Sequence, residues 1–193
     1  MKTGIRSNHE LAVRAGAIAI VFAMLACSLP GVSPTGNSST KQGAGGPSGP
    51  ACLEGIQAGK TTRNEVVGLL GNPLATIEDQ GLETLQYASA IYGQANSIAM
   101  REGVVALVTV VQAEDKPLSW SEIKAQLGAP AFQAFTNFQQ GSMTYVYPDR
   151  GRAYVADEGM DVVFIQQCFA PMSLEDYMTA YGNSMPTEDP FIE

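Results

Sequence analysis

Three places in the chain carry residue types and spacings that could do chemistry. Gly59-Lys60-Thr61 has the ending of a phosphate-gripping loop. Asp149, Asp157, Glu158 and Asp161 crowd four carboxylates into a short stretch, and Cys27, Cys52 and Cys168 supply thiols. A phosphate loop needs four residues between its first glycine and the Gly-Lys-Ser/Thr, so that backbone N–H groups can curl around the phosphates, and it follows a buried strand. Gly55 to Gly59 encloses three, and what precedes it is rich in Gly and Pro. Nucleotide binding is set aside on that ground, and Lys60-Thr61 reads as the approach to a helix.

Hard cations do want several carboxylate oxygens at once. Asp149, however, sits in Tyr-Pro-Asp-Arg-Gly, a turn sequence; Glu158-Gly159 is a second turn, and Asp161 is expected to face solvent on an alternating strand. Solvated turns are therefore expected rather than a metal site. The one histidine, His9, lies in the basic N-terminal stretch. If that stretch is removed, no imidazole is left for Ser-His-Asp or Cys-His catalysis or for a metal. The Gly-x-Ser-x-Gly signature is also missing. A non-catalytic protein without cofactor is expected; residue types alone leave a carboxylate-only glycan hydrolase open.

The N-terminus explains why His9 leaves. Lys2, Arg6 and Arg14 precede a twelve-residue apolar run, Ala15 to Ala26, which ends at Cys27. The run is shorter than the roughly 20 residues a membrane-crossing helix needs, so residues 1–26 read as a signal peptide. Met24-Leu25-Ala26-Cys27 resembles a bacterial lipobox, with Met24 standing where the pattern has leucine and Leu25 where it has a small residue. Cys27 is then the lipidation site; a soluble secreted protein or an uncleaved anchor are the alternatives. Residues 27–50 continue as a Gly/Ser/Pro stretch too poor in apolar groups to order itself, a tether expected to span about 25–30 Å. Loss of the leader takes the formal charge from −8 to −10. So acidic a chain repels phosphate backbones and anionic lipid headgroups, which argues against nucleic acid as a partner. In an oxidising envelope Cys52 and Cys168 most simply form a disulfide, with two independent thiols as the alternative.

The helix that Lys60-Thr61 approaches occurs more than once. Thr61 to Pro73 aligns without gaps on Leu118 to Pro130 at an offset of 57, matching Thr62 with Ser119, Glu65 with Glu122, Leu70 with Leu127, Gly71 with Gly128 and Pro73 with Pro130. Thr62/Glu65 and Ser119/Glu122 are capping-box spacings, in which hydroxyl and carboxylate satisfy orphan N–H groups reciprocally. Val66, Leu69 and Leu70, and Ile123 and Leu127, form core-facing stripes. Gly71 and Gly128 fit a left-handed stop. A third copy begins at Pro171, with Ser173/Asp176 as cap, Tyr177 and Tyr181 as stripe and Gly182 as stop.

β-type runs follow the first two helices: Thr84 to Tyr92, Ala95 to Gly103 and Val104 to Gln112, then Ala134 to Gln140 or Ser142 to Pro148, Arg152 to Gly159 and Met160 to Cys168. Glu102-Gly103 and Glu158-Gly159 read as hairpin turns. The fold expected is α+β: two tandem α-β-β-β units, 51–116 and 117–170, whose antiparallel sheet is packed by helices. A closing helix, 171–182, covers a sheet edge or face, and 183–193 forms a disordered tail. Trp120 is either a binding anchor or a packing residue. Tyr87, Tyr92, Tyr145, Tyr147 and Tyr154 either pack across strands or form one exposed aromatic face.

The helix Gly59 to Pro73, Gly-x-x-Thr-x-x-Glu-Val-x-x-Leu-Leu-Gly-x-Pro, before antiparallel strands and behind a lipobox, resembles that of the SmpA/OmlA (BamE-like) envelope lipoproteins. The doubled layout is similar to that of β-lactamase inhibitor proteins. The resemblance is close over Gly59 to Pro73, looser over Leu118 to Pro130, and one of pattern in the strands. It implies a non-enzymatic, membrane-tethered module of the bacterial envelope, held outside the cytoplasm, that works by contact with a protein partner. Inhibition of a secreted hydrolase through the sheet is the alternative.

Overall fold

The computed structural model describes residues 48–79, 81–186 and 188–191. The expected signal peptide, Cys27 and the tether as far as residue 47 lie outside the described residues. The body begins before residue 51: the Gly49 amide donates to the Ala58 carbonyl at 2.7 Å, and a side chain at Gly49 would collide with the Phe169 carbonyl.

A short hairpin, β1 (Ala51–Leu53) and β2 (Ile56–Gln57), leads into α1 (Arg63–Leu70). Four strands follow: β3 (Ala75–Asp79), β4 (Leu82–Ala88), β5 (Ala95–Arg101) and β6 (Val104–Val111). A two-residue strand, β7 (Leu118–Ser119), then enters α2 (Trp120–Leu127), and four strands follow again: β8 (Phe132–Phe135), β9 (Met143–Tyr147), β10 (Arg152–Asp157) and β11 (Val162–Phe169). The last helix is α3 (Leu174–Tyr181). The class is α+β, with three helices and one nine-stranded antiparallel sheet among the described residues. The sheet runs β3-β4-β5-β6-β11-β10-β9-β8, and β7 joins β11.

Strand alternation assigns the helices to faces. On the first face Leu85, Tyr87, Ile98, Met100 and Val108 pack with Val66 of α1 and Ile56 of the hairpin, while Tyr145, Tyr147, Tyr154 and Val163 pack with Trp120 of α2. On the opposite face Val146, Ala153 and Phe169 pack against Tyr177 of α3. Each fully buried aliphatic side chain in these clusters contributes about 1.5–3 kcal/mol. Leu69 departs from the expected stripe. It is 56% exposed, because a helix of two turns turns only Val66 and Leu70 onto the sheet.

Only the start of α1 is the full capping box its spacing predicts; at α2 and α3 the hydroxyl half forms and the carboxylate does not return to the amide of the cap. Thr62 accepts from the Glu65 amide while its own amide donates to Glu65 Oε2 at 2.7 Å. Ser119 and Ser173 accept from the amides of Glu122 and Asp176. Gly71 and Gly128 hold φ of 78° and 80°, but with ψ of −165° and −156° they occupy an extended positive-φ region rather than the left-handed helical one. Only glycine enters that region cheaply. Gly182 differs again: at φ −68° it stays right-handed and runs into a 3-10 turn, Gly182–Ser184, so nothing left-handed stops α3. Met185, just past that turn, packs on the α3 cluster.

No atom lies within 4 Å of a Cβ built on Gly71 or Gly128, so alanine there meets a backbone penalty and no clash. Each substitution is expected to lower the unfolding free energy by about 1–3 kcal/mol, read by urea denaturation.

Candidate protein-interaction face

The carboxylates singled out in the sequence take up structural tasks. Asp161, at φ 55° in the β10–β11 turn, is not a plain solvated strand residue. Its Oδ1 accepts from the Ser121 amide at 2.6 Å, and its Oδ2 accepts from the Ser119 and Ser121 hydroxyls at 2.9 and 3.1 Å. A carboxylate from a distant turn thus supplies the acid at the start of α2, where the helix dipole favours it. Glu158 Oε1 accepts from Trp120 Nε1 at 3.1 Å and from Lys124 Nζ at 3.0 Å. Asp157 accepts from the Met160 amide within the turn, and Asp149 pairs with neighbouring Arg150 on an exposed 3-10 turn. Among the described residues no group of three or more His, Cys, Asp or Glu side chains could hold a metal.

These bonds set the titration of the domain. The Thr62 amide holds Glu65 below the usual carboxylate range, the bond from Lys124 does the same for Glu158, and the Ser121 amide does so for Asp161. Burial, reinforced by nearby Glu158, pushes Tyr145 up to about 12; burial also raises Tyr87, Tyr147, Tyr177 and Tyr181. The tyrosines are neutral in both states below about pH 10. Above that the unfolded chain releases protons that the folded one retains, so stability falls as pH rises from about 10 through 12. The depressed carboxylates act with the opposite sign: their stabilisation is present above about pH 4.5 and is lost as pH falls through their folded values. With no histidine after His9, thermal denaturation is expected to give a level plateau between these limits, and Tyr145→Phe is expected to soften the alkaline fall.

Trp120 is a packing residue. It is 2% exposed and stacks on Tyr145 with ring centroids 4.1 Å apart. Tyr87, Tyr145, Tyr147 and Tyr154 are buried too, and only Tyr92 of the five is exposed, so they form no exposed aromatic face. Two of them instead repeat one contact. The Tyr87 hydroxyl donates to the Gly71 carbonyl at 3.3 Å, and the Tyr147 hydroxyl donates to the Gly128 carbonyl at 3.0 Å. Cys52 and Cys168 stand at disulfide distance with Cα atoms 6.0 Å apart, joining the first hairpin to β11.

With the first face filled, the second face offers surface for contact. One straight row of cross-strand neighbours there reads Gln86, Ser97, Thr109 and Gln167, before reaching Ala153 and Val146 beneath α3. The row is half-buried and uncharged; Ala75 continues it onto β3, and Thr84 and Ile77 lie on the same face in the next row. At its far side Phe135, Phe138, Thr144, Ile165, Gln167 and Met185 line a groove. These positions escaped the reading of motifs, although the alternation of Thr84 and Gln86 with Leu85 and Tyr87 carried the signal.

No protein-family model matches the chain, and no curated protein matches it in sequence. Among solved structures it is similar to the crystal structure of a DUF4309 family protein (YjgB) from Bacillus subtilis, at 16% identity over 63% of this chain and 86% of that one, with a TM-score of 0.47. A likeness of that degree assigns no site residue and no partner.

Proposed function

We propose that the chain is a lipid-anchored scaffold protein of the bacterial cell envelope, non-catalytic, which binds a protein partner through the second face of its sheet. Its two tandem units, each a helix with the strands behind it, form the platform, and α3 closes one end. The observation that carries this reading is the half-buried, uncharged row Gln86, Ser97, Thr109 and Gln167. Short hydroxyl and amide side chains on a rigid ladder offer hydrogen bonds at little entropic cost and present no unpaired charge to desolvate.

Two repeated contacts and the order of the sheet support the duplication. The cap Thr62 bridges Val104 at the start of β6, as the cap Ser119 pairs with Val162 at the start of β11. The tyrosine-to-glycine bonds recur, and the sheet order mirrors itself about the β6–β11 seam. For the carboxylates of the second unit, a structural role is supported by their partners: Glu158 accepts from Trp120 and Lys124, and Asp161 caps the start of α2. The anchor rests on the sequence at Cys27, and labelled palmitate is expected to enter the full chain and not its Cys27→Ala variant.

Co-purification of the full chain from envelope extract tests the contact. A partner retained by the wild type and lost on joint Ser97→Arg and Thr109→Arg substitution supports it; equal retention by both overturns it. A retained hydrolase whose activity falls on binding would move the role from scaffold to inhibitor.

A further inference from the structure

The two edges of the sheet are not alike. At one end β8 lies against Met178, Gly182, Met185 and Pro186, which line a groove along it. At the other end β3 pairs with β4 on one side, and no described strand lies on its other side. All five of its residues are exposed. Such an edge presents a row of free N–H and C=O groups, and protein edges are ordinarily blunted by short strand length, charged side chains (lysine above all), proline, a bulge or a covering loop; here the only charges are the acids Glu78 and Asp79. Ala75–Asp79 contains neither lysine nor proline, and its ladder with β4 runs without a register shift.

The charge on this edge is unbalanced in one direction. Glu78 stands directly across from Glu83, a like-charge pair that weakens the ladder. Arg63 of α1 takes up one of the two, with its Nε 2.8 Å from Glu83 Oε1. Glu78 and Asp79 have no cation partner among the described residues. Beside them are apolar side chains left in water: Leu74 at 73% exposure and Ile77 at 48%. Free backbone groups, uncompensated acids and exposed apolar side chains thus coincide on one strand.

We infer that β3 is a docking edge for an extended, basic segment of a partner protein, which adds to the sheet as a further strand. Alternation fixes the sequence character of that segment. The residue opposite Ile77 is apolar, and those opposite Glu78 and Asp79 are lysine or arginine, one on each face of the sheet. A second copy of this chain would bring a second pair of acids to the same edge, so a heterologous cationic strand is favoured. The site lies at the sheet's margin, and its failure would leave the contact through Gln86, Ser97, Thr109 and Gln167 standing.

The test uses the full chain in detergent and a fluorescein-labelled peptide of about ten residues, with Val-Lys-Lys at its centre and alternating Thr and Val around it. Fluorescence anisotropy is expected to show saturable binding that weakens with salt and drops about tenfold for the Glu78→Lys, Asp79→Lys double variant. Both substitutions fall at exposed positions and remove the Glu78–Glu83 repulsion, so the variant is expected to keep its circular dichroism and melting temperature. The same peptide N-methylated at alternate residues is expected to lose binding, since it cannot complete the ladder. Equal binding by a Val-Glu-Glu peptide, equal binding by the N-methylated peptide, no binding by any of them, or dimerisation of the chain abolished by the double variant would each overturn the inference.

Discussion

Truncating Trp120 to alanine is expected to lower the unfolding free energy by about 3–5 kcal/mol, the range for a large aromatic removed from a core. The indole has 2% exposure and stacks on Tyr145, lies tilted against Tyr154, and packs in the cluster that joins α2 to the sheet. Its Nε1 also donates to Glu158, so truncation removes one of that carboxylate's hydrogen-bond donors. Arg63 holds the equivalent position at the start of α1 and makes a half-buried ion pair with Glu83 that solvent still screens, so Arg63→Ala is expected to cost about 1 kcal/mol. Urea denaturation of both variants measures the contrast. A loss below about 1 kcal/mol for Trp120→Ala would show that α2 is not held through its first residue.

Removing the Cys52–Cys168 link should cost nearly as much. The bridge closes a separation of 116 residues, for which loop entropy in the unfolded chain sets an upper value of about 4–5 kcal/mol. It fastens the β1–β2 hairpin, whose Ile56 and Ala58 are fully buried, to the central strand β11. Joint replacement of Cys52 and Cys168 by alanine, which puts no hydroxyl at a buried site, is expected to lower stability by about 3–5 kcal/mol. Reductant is expected to reproduce the loss in the wild type and to leave the double variant unchanged. If reductant does not move the wild-type midpoint, the link contributes nothing to the fold.

What the sequence reveals of this molecule is mostly local. Helix starts are legible because cap and acid sit within one turn of each other, as Thr62 and Glu65 do, and strands with one buried face are legible by alternation, as in Leu85 and Tyr87. Features set by distant residues are not. Asp161 caps a helix some forty positions earlier in the chain, and only the β7–β11 pairing brings it there. β3 escaped because an edge strand with every side chain in water has no apolar period to detect. The turn at Glu102-Gly103 is a two-residue hairpin with both residues at positive φ, whereas the β10–β11 turn spans Glu158 to Asp161 and places its positive φ at Asp161, so equal lettering concealed unequal turns. Which face α3 covers also lay beyond its stripe of Tyr177 and Tyr181, because an apolar stripe specifies burial and not the surface that supplies it.

The central claim is that the second face of the sheet meets a protein partner. A photo-crosslinking residue placed singly at Gln86 or Thr109 of the full chain, irradiated in intact envelopes, addresses it directly, with Gln126 on exposed α2 as control. The account predicts one discrete adduct shared by Gln86 and Thr109 and missing at Gln126. An adduct of equal yield at Gln126, or none at either face position, would contradict it.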